Sequence, residues 1–450
     1  MLVANIVTRI WEMEDLRKRV LFTLGMLAIY RLGIYIPAPG IDRAALQQFF
    51  SEQSNTLFGL YNMFSGGALE QFSVFVLGIM PYITASIIIQ LLTKMVPMLE
   101  RIQKEGQQGK NRITQYTRYL TIIIAVMQSS AMARGMEQMR VGTTDVVING
   151  GWDFRVMTVL TMTAGACFVM WLAEQMTDRG IGNGASIIIT AGIIARLPAG
   201  VIHLFERVSS EEMNLLQVTL LGVFMFLVVM GIVFVERGQL RIPIQYAKKV
   251  LGRKVYPGRS DYLPLKVNIS GVIPPIFASS LLMFPSTIGQ FYPSAVLDWV
   301  SGAFIPGRWL YNLSYAGLIV FFAYFYTAVT FPPEDLAENL KKQGGYIPRV
   351  RPGAETISYL DWLLTRLTAG GAVYLSAICI LPSVLVSAYN VPFSFGGTGL
   401  LIVVGVALDT VAQVEAQLMT KHYDGLIGPK AQRVKGRRRL LQKGDVNLLR

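Results

Sequence analysis

Charge, cysteine and histidine are all scarce in this chain. Only 15% of its 450 residues are charged, and it has two cysteines and two histidines. Cys167 and Cys379 lie inside apolar runs and read as small hydrophobic side chains rather than a disulfide or a metal pair. His203 and His422 have no cysteine or acidic neighbour at ligand spacing, so neither a metal centre nor a cofactor is expected. No Gly-rich loop ends in Gly-Lys-Ser/Thr, which means that energy from ATP would have to come from a partner. Ser186, in Gly-Ala-Ser186, makes no strong nucleophile motif, and His203 is the base it would need. Neither an intramembrane protease nor an ATP-hydrolysing motor is therefore expected.

What the chain does have is apolar length. Hydrophobic residues make up 52% of it, and soluble proteins carry roughly a quarter charged residues, so an all-α polytopic membrane protein is expected. Ten apolar stretches are candidates to span a bilayer: 20–36, 72–92, 119–132, 156–172, 185–201, 215–235, 271–288, 311–331, 367–386 and 400–419. The third is short and has to recruit flanking residues. The first reads as a retained span rather than a signal peptide, because it contains Arg31 and ends in Pro37-Ala-Pro-Gly40. Arg31 itself is expected to be packed or snorkelling. Ion-coupled transporters need ionisable side chains at mid-span. Here only Asp409 and Glu415, both in the last span, stand out.

The cations are sorted by loop. Of 41 Lys and Arg residues, 33 fall on the side that holds both termini and the even-numbered loops, which the positive-inside rule makes cytoplasmic. All six tryptophans (Trp11, Trp152, Trp171, Trp299, Trp309 and Trp362) lie outside spans or at their ends, as interfacial anchors do. Two loops, 236–270 and 332–366, are long and basic. In the first, Ile242, Ile244 and Tyr246 alternate with Pro243 and Gln245, and Tyr256-Pro-Gly258 marks a turn. A projecting basic hairpin is expected, suited to an acidic protein or to RNA phosphates. A basic tail, 420–450, contains Lys435-Gly-Arg-Arg-Arg439.

Seven motifs in one order then identify a resemblance. Asn62-Met-Phe-Ser-Gly-Gly-Ala-Leu69, Gly78-Ile-Met-Pro-Tyr-Ile83, Gly180-Ile-Gly-Asn-Gly184, Val235-Glu-Arg-Gly-Gln239, Leu263-Pro-Leu-Lys-Val-Asn268, Arg351-Pro-Gly353 and Phe395-Gly-Gly-Thr398 together resemble the bacterial SecY family of protein-conducting channels. The resemblance implies ten helices in two pseudo-symmetric, inverted five-helix halves, forming a clamshell around an hourglass pore. The halves would be 20–201 and 202–419, preceded by an amphipathic N-terminus, 1–19. Its location would be the bacterial plasma membrane. The implied partners are SecE, SecG, the motor ATPase SecA, the ribosome, signal sequences with unfolded preproteins, and anionic lipid, with no small-molecule substrate.

Carried onto this chain, the resemblance makes the pore ring Ile79, Ile83, Ala185, Ile189, Ile276 and Ile402, with Ala185 departing from the usual branched aliphatic. The segment 60–71 resembles the plug: Leu60, Tyr61, Asn62, Met63, Phe64 and Ser65, then Gly66 and Gly67 as a hinge. A lateral exit would lie between spans 2–3 and 7–8, with Gln90 and Asn268 making polar contacts across it. Pro274-Pro275 are expected to distort span 7. Arg241, Lys248, Lys249, Arg253, Lys254, Arg349 and Arg351 would dock the motor and ribosome, Arg351 being the most sensitive. The competing readings are a small-solute secondary transporter and an insertase-like scaffold that does not conduct.

Overall fold

The computed structural model describes residues 13–42, 46, 65–138, 140–141, 144–210, 214–246, 249–251, 254–256, 260–289, 308–389 and 397–427. Each of the ten expected spans falls on one helix: α1 Glu14–Ile34, α2 Met80–Met95, α4 Gln107–Gln138, α5 Trp152–Arg179, α6 Gly184–Ser209, α7 Leu215–Arg237, α8 Ile273–Gly289, α9 Trp309–Thr330, α11 Ala354–Tyr389 and α12 Gly397–Ile427. Two short helices intervene, α3 Pro97–Lys104 and α10 Pro333–Lys342. Six of the described helices are long and apolar enough by themselves to cross a membrane, and α2 with α3, bent by 100°, makes up to seven. The bend sits at Val96, which Pro97 forces into an extended conformation.

Two helix starts differ from expectation. The second span was expected from residue 72, but 74–79 is a run of turns and the helix begins at Met80. Gly78 at φ 55° ends the turns, and Pro81 occupies the first helical turn, where no amide hydrogen is needed. Pro274 and Pro275 likewise fall in the first turn of α8, so they start that helix rather than distort it.

Residues Met1–Val406 form one compact unit and Ala407–Arg450 a second, whose described part is the latter half of α12. Within the first unit, α4 and α5 lie against each other, clamped at both ends by ion pairs: Arg118 to Glu174 at 2.8 Å, and Arg155 to Glu137 at 2.6 and 2.9 Å. Large apolar side chains point outward along α7. Leu216, Leu220, Phe226, Met230 and Phe234 of α7 are all exposed, as befits a helix whose solvent is lipid. Trp152, Trp171, Trp309 and Trp362 are also at the surface.

The basic loops fold together. β3 (Gln239–Tyr246) pairs antiparallel with β6 (Ser260–Lys266), and β4 (Lys249–Leu251) with β5 (Lys254–Tyr256) nearer the tip. Ile242 and Ile244 are buried, while Arg241, Pro243 and Gln245 between and beside them are exposed, the period of two that the alternation foretold. The unforeseen element is β7 (Gly345–Tyr346), from the other basic loop, which adds to the free edge of β3. One apolar cluster holds the assembly: Ile242 and Leu265 from the hairpin, Ala337 from α10, Ile347, and Leu360 and Leu364 from α11. A further two-stranded ladder joins β1 (Arg140–Val141) to β2 (Thr144–Asp145).

Candidate functional site

The six residues expected to form the ring fall in or beside one large apolar cluster. Ile79, Ile83, Ile189, Ile276 and Ile402 belong to one apolar cluster, each 8% exposed or less, and half-buried Ala185 packs at its edge. They come from the turn before α2 and from α2, α6, α8 and α12, so four helices contribute to the cluster. Ile79 and Ile83 are one turn apart, as are Ala185 and Ile189, which puts each pair on a single helix face. The motif Gly180–Gly184 explains how α6 presents its pair. Gly182 turns the chain at φ 79°, and the Asn183 side chain accepts hydrogen bonds from the amides of Ala185 (3.1 Å) and Ser186 (3.5 Å). Asn183 thereby caps the helix. Thr177 and Thr23 accept from the amides of Gly184 and Ile181, tying the turn to α5 and α1.

Of the plug-like segment, Leu60, Tyr61, Asn62, Met63 and Phe64 lie outside the described residues; Ser65, Gly66 and Gly67 are inside. Gly66 and Gly67 have φ of 69° and 91°, values that glycine adopts at the least steric cost. Gly66 packs against the backbone of α6, and a Cβ there would come within 2.9 Å of the Gly192 Cα. Arg31 donates to the Gly66 carbonyl at 2.9 Å, and the Tyr30 hydroxyl to that of Ser65 at 3.4 Å. Ala68 joins the cluster that contains the ring, whereas Leu69 joins a second cluster with Phe72, Met136, Phe154 and Met162. Arg31 is thus packed, as expected, but its partner is a main-chain carbonyl 35 residues away. Arg196 of α6, to which the sequence reading assigned no role, meets Glu70 at 2.9 Å. A lone arginine within an apolar span was the available signal.

The two expected gate residues have separate partners. Gln90 donates to Ser86 on its own helix at 3.1 Å. Asn268 is 1% exposed and donates to Glu236 at 2.6 Å and to the Gly271 carbonyl at 3.1 Å, while Ser270 donates to its oxygen at 3.1 Å. Asn268 therefore fastens the hairpin to the end of α7 and the start of α8. The helices themselves do meet: α8 touches α2, α4 and α9. Phe277 sits edge-on to Phe322 at 5.7 Å, and Tyr315 of α9 hydrogen-bonds to the Pro275 carbonyl (3.3 Å) and to Thr398 (2.8 Å).

The docking candidates lie on or beside the folded loops. Arg241 is exposed on β3. Lys249 and Lys254 stand on β4 and β5, whereas Lys248, Arg253 and the Pro257-Gly258 turn lie outside the described residues. Arg349 is exposed with φ 69°. Arg351 is pinned by its backbone, its amide donating to Glu355 (3.2 Å) and its carbonyl accepting from Thr356 (2.8 Å). Its side chain is exposed and has no ion-pair partner among the described residues.

Comparison with known proteins fits this geometry. Solved channel structures share the fold. "The structure of a protein conducting channel" superposes with a TM-score of 0.63 at 15% identity, over 89% of this chain and 92% of that one. A SecY whose plug domain stabilises the closed state and maintains a membrane seal gives 0.62, at 16% identity and the same coverage. Sec61 in the canine ribosome–channel complex gives 0.59, at 15% identity over 89% of this chain and 92% of that one. The fold is thus that of a protein-conducting channel. The SecY family profile matches residues 73–411. The protein translocase subunit SecY of Escherichia coli K12 is 48% identical over 417 residues, covering 92% of this chain and 94% of the relative. That of Aquifex aeolicus is 46% identical over 422 residues, covering 93% and 98%. The chain belongs to the SecY family.

Proposed function

We infer that this chain is the pore-forming subunit of a translocon in the bacterial inner membrane. It passes unfolded polypeptides bearing signal sequences across the bilayer and releases apolar segments sideways into lipid. The observation that carries this reading is one buried apolar cluster that takes in Ile79, Ile83, Ile189, Ile276 and Ile402, with Ala185 packed against it and Ala68 of the plug-like segment inside it. A neck lined this way excludes water and ions at rest, because a charge cannot cross it cheaply, yet it offers no binding site that would hold a passing chain. Leu60–Gln71 acts as the plug, and the lateral exit opens where α8 leaves α2 and α4.

Both termini and the basic loops face the cytoplasm in this reading. The platform of β3–β7 and the Arg349–Arg351 turn receives the ribosome, as its relatives in ribosome-bound complexes suggest, and the motor SecA. SecE, SecG and anionic lipid complete the assembly. The test is reconstitution of the chain with these partners. Protease-protected preprotein should accumulate only with ATP and an intact signal sequence. Uptake of a small solute without that accumulation would replace this reading with a secondary transporter.

A further inference from the structure

We propose that Glu70 and Arg196 are a latch on the plug segment, and that this ion pair sets how strong a signal sequence must be to open the pore. The proposal rests on reading 60–71 as the plug.

Four kinds of contact seat this segment. Backbone meets backbone where Gly66 lies against Gly192. Main-chain carbonyls of Ser65 and Gly66 accept from Tyr30 and Arg31 of α1. Ala68 and Leu69 are fully buried. The fourth contact differs in kind. Arg196 stands one helical turn beyond Gly192 on α6, and Glu70 lies four residues beyond Gly66, so the two chains run alongside until the side chains pair at 2.9 Å. The pair joins the plug segment to a spanning helix through opposite charges.

Two features make the pair a regulator rather than a permanent bond. Arg196 is 25% exposed and Glu70 40%, so each side chain can regain water as the pair separates. The net strength is then modest, as for other partly exposed pairs. Second, the pair joins a segment that must leave to a helix that carries two ring residues and stays. Breaking it therefore alters the equilibrium between seated and displaced plug without removing any ring side chain. Arg31, which donates to the Gly66 carbonyl, adds a second positive charge to the same seat, so loss of Glu70 removes a carboxylate from a segment held by two arginines.

The experiment uses the full-length chain in complex with its partner subunits. Glu70→Gln, Arg196→Gln, the exchange Glu70→Arg/Arg196→Glu, the conservative Arg196→Lys, and a deletion of 60–71 are compared. Resting ion conductance is measured in planar bilayers. In cells, export of a preprotein with a shortened signal is measured relative to the same preprotein with an intact signal. Membrane abundance is followed for every variant. Each neutralised variant should raise conductance and the export ratio about fivefold, the population shift that loss of one such pair brings. The exchange variant should move both readings back toward the parent, and Arg196→Lys should stay near it. Unchanged readings in the single variants, or an exchange variant worse than either, overturn the latch. If the deletion nonetheless raises conductance, the plug reading survives that result. If the deletion leaves conductance unchanged, the plug reading falls and the latch with it. A single variant that fails to accumulate moves the decision to Arg196→Lys against the exchange variant, where equal loosening in both overturns the proposal.

Discussion

Arg351 shows how one residue is made ready for a large partner. Its amide and carbonyl are both held, by Glu355 and Thr356, so the backbone is fixed while the guanidinium remains exposed. A fixed arginine loses less entropy on pairing with a carboxylate or a phosphate, and the fork geometry makes that pair strong. Arg351→Glu should cut motor-driven translocation more than tenfold, measured in inverted vesicles. Membrane abundance should stay at the parent level, since an exposed substitution changes stability by about 0.5 kcal/mol or less. The six residues proposed as the ring could be selected only by resemblance, because isoleucine in an apolar span looks the same whether it faces lipid, core or pore. Asn183, by contrast, could be read locally, as a cap directly before a helical run. Arg31 and Arg196 carried a visible anomaly, charge inside apolar stretches, but their partners are 35 and 126 positions away, beyond the reach of any local pattern.

At the scale of elements, the spans were the easiest part to read. Roughly 20 apolar residues have no other stable form in lipid than a helix. Their ends were harder: hydropathy continues smoothly through 72–79, whereas Gly78 and Pro81 decide where α2 begins. The hairpin was legible from its alternation of buried and exposed positions. β7 was not, being two residues long and stabilised by an edge that only the folded hairpin provides. What holds the platform is the cluster around Leu360, which is fully buried between hairpin and helix. Leu360→Ala should destabilise the platform by about 2–5 kcal/mol. Limited proteolysis should show faster cleavage within 236–270, and ribosome affinity should fall, while the spanning helices still insert.

At the scale of the whole molecule, apolar packing rather than polar bonding closes α8 against α2 and α4 among the described residues. Asn268 and Gln90 are occupied elsewhere. Opening therefore exchanges apolar protein contacts for apolar lipid or signal-sequence contacts, which keeps the two states close in free energy. A short covalent crosslink between α2 and α8 should abolish export in reconstituted vesicles, and reduction of that crosslink should restore it. Export that proceeds with the crosslink intact would place the exit elsewhere.

The root of the basic hairpin gives this wall a mechanical character. Seven residue pairs join β3 to β6, a lever of about 24 Å at the rise of an antiparallel strand. Its fulcrum is Asn268, bonded at once to Glu236 at the end of α7 and to Gly271 just before α8. A small sideways load on the tip therefore arrives at the base as torque on α8. With β7 tying the second loop to the same arm, a machine that grips either loop turns the same shaft.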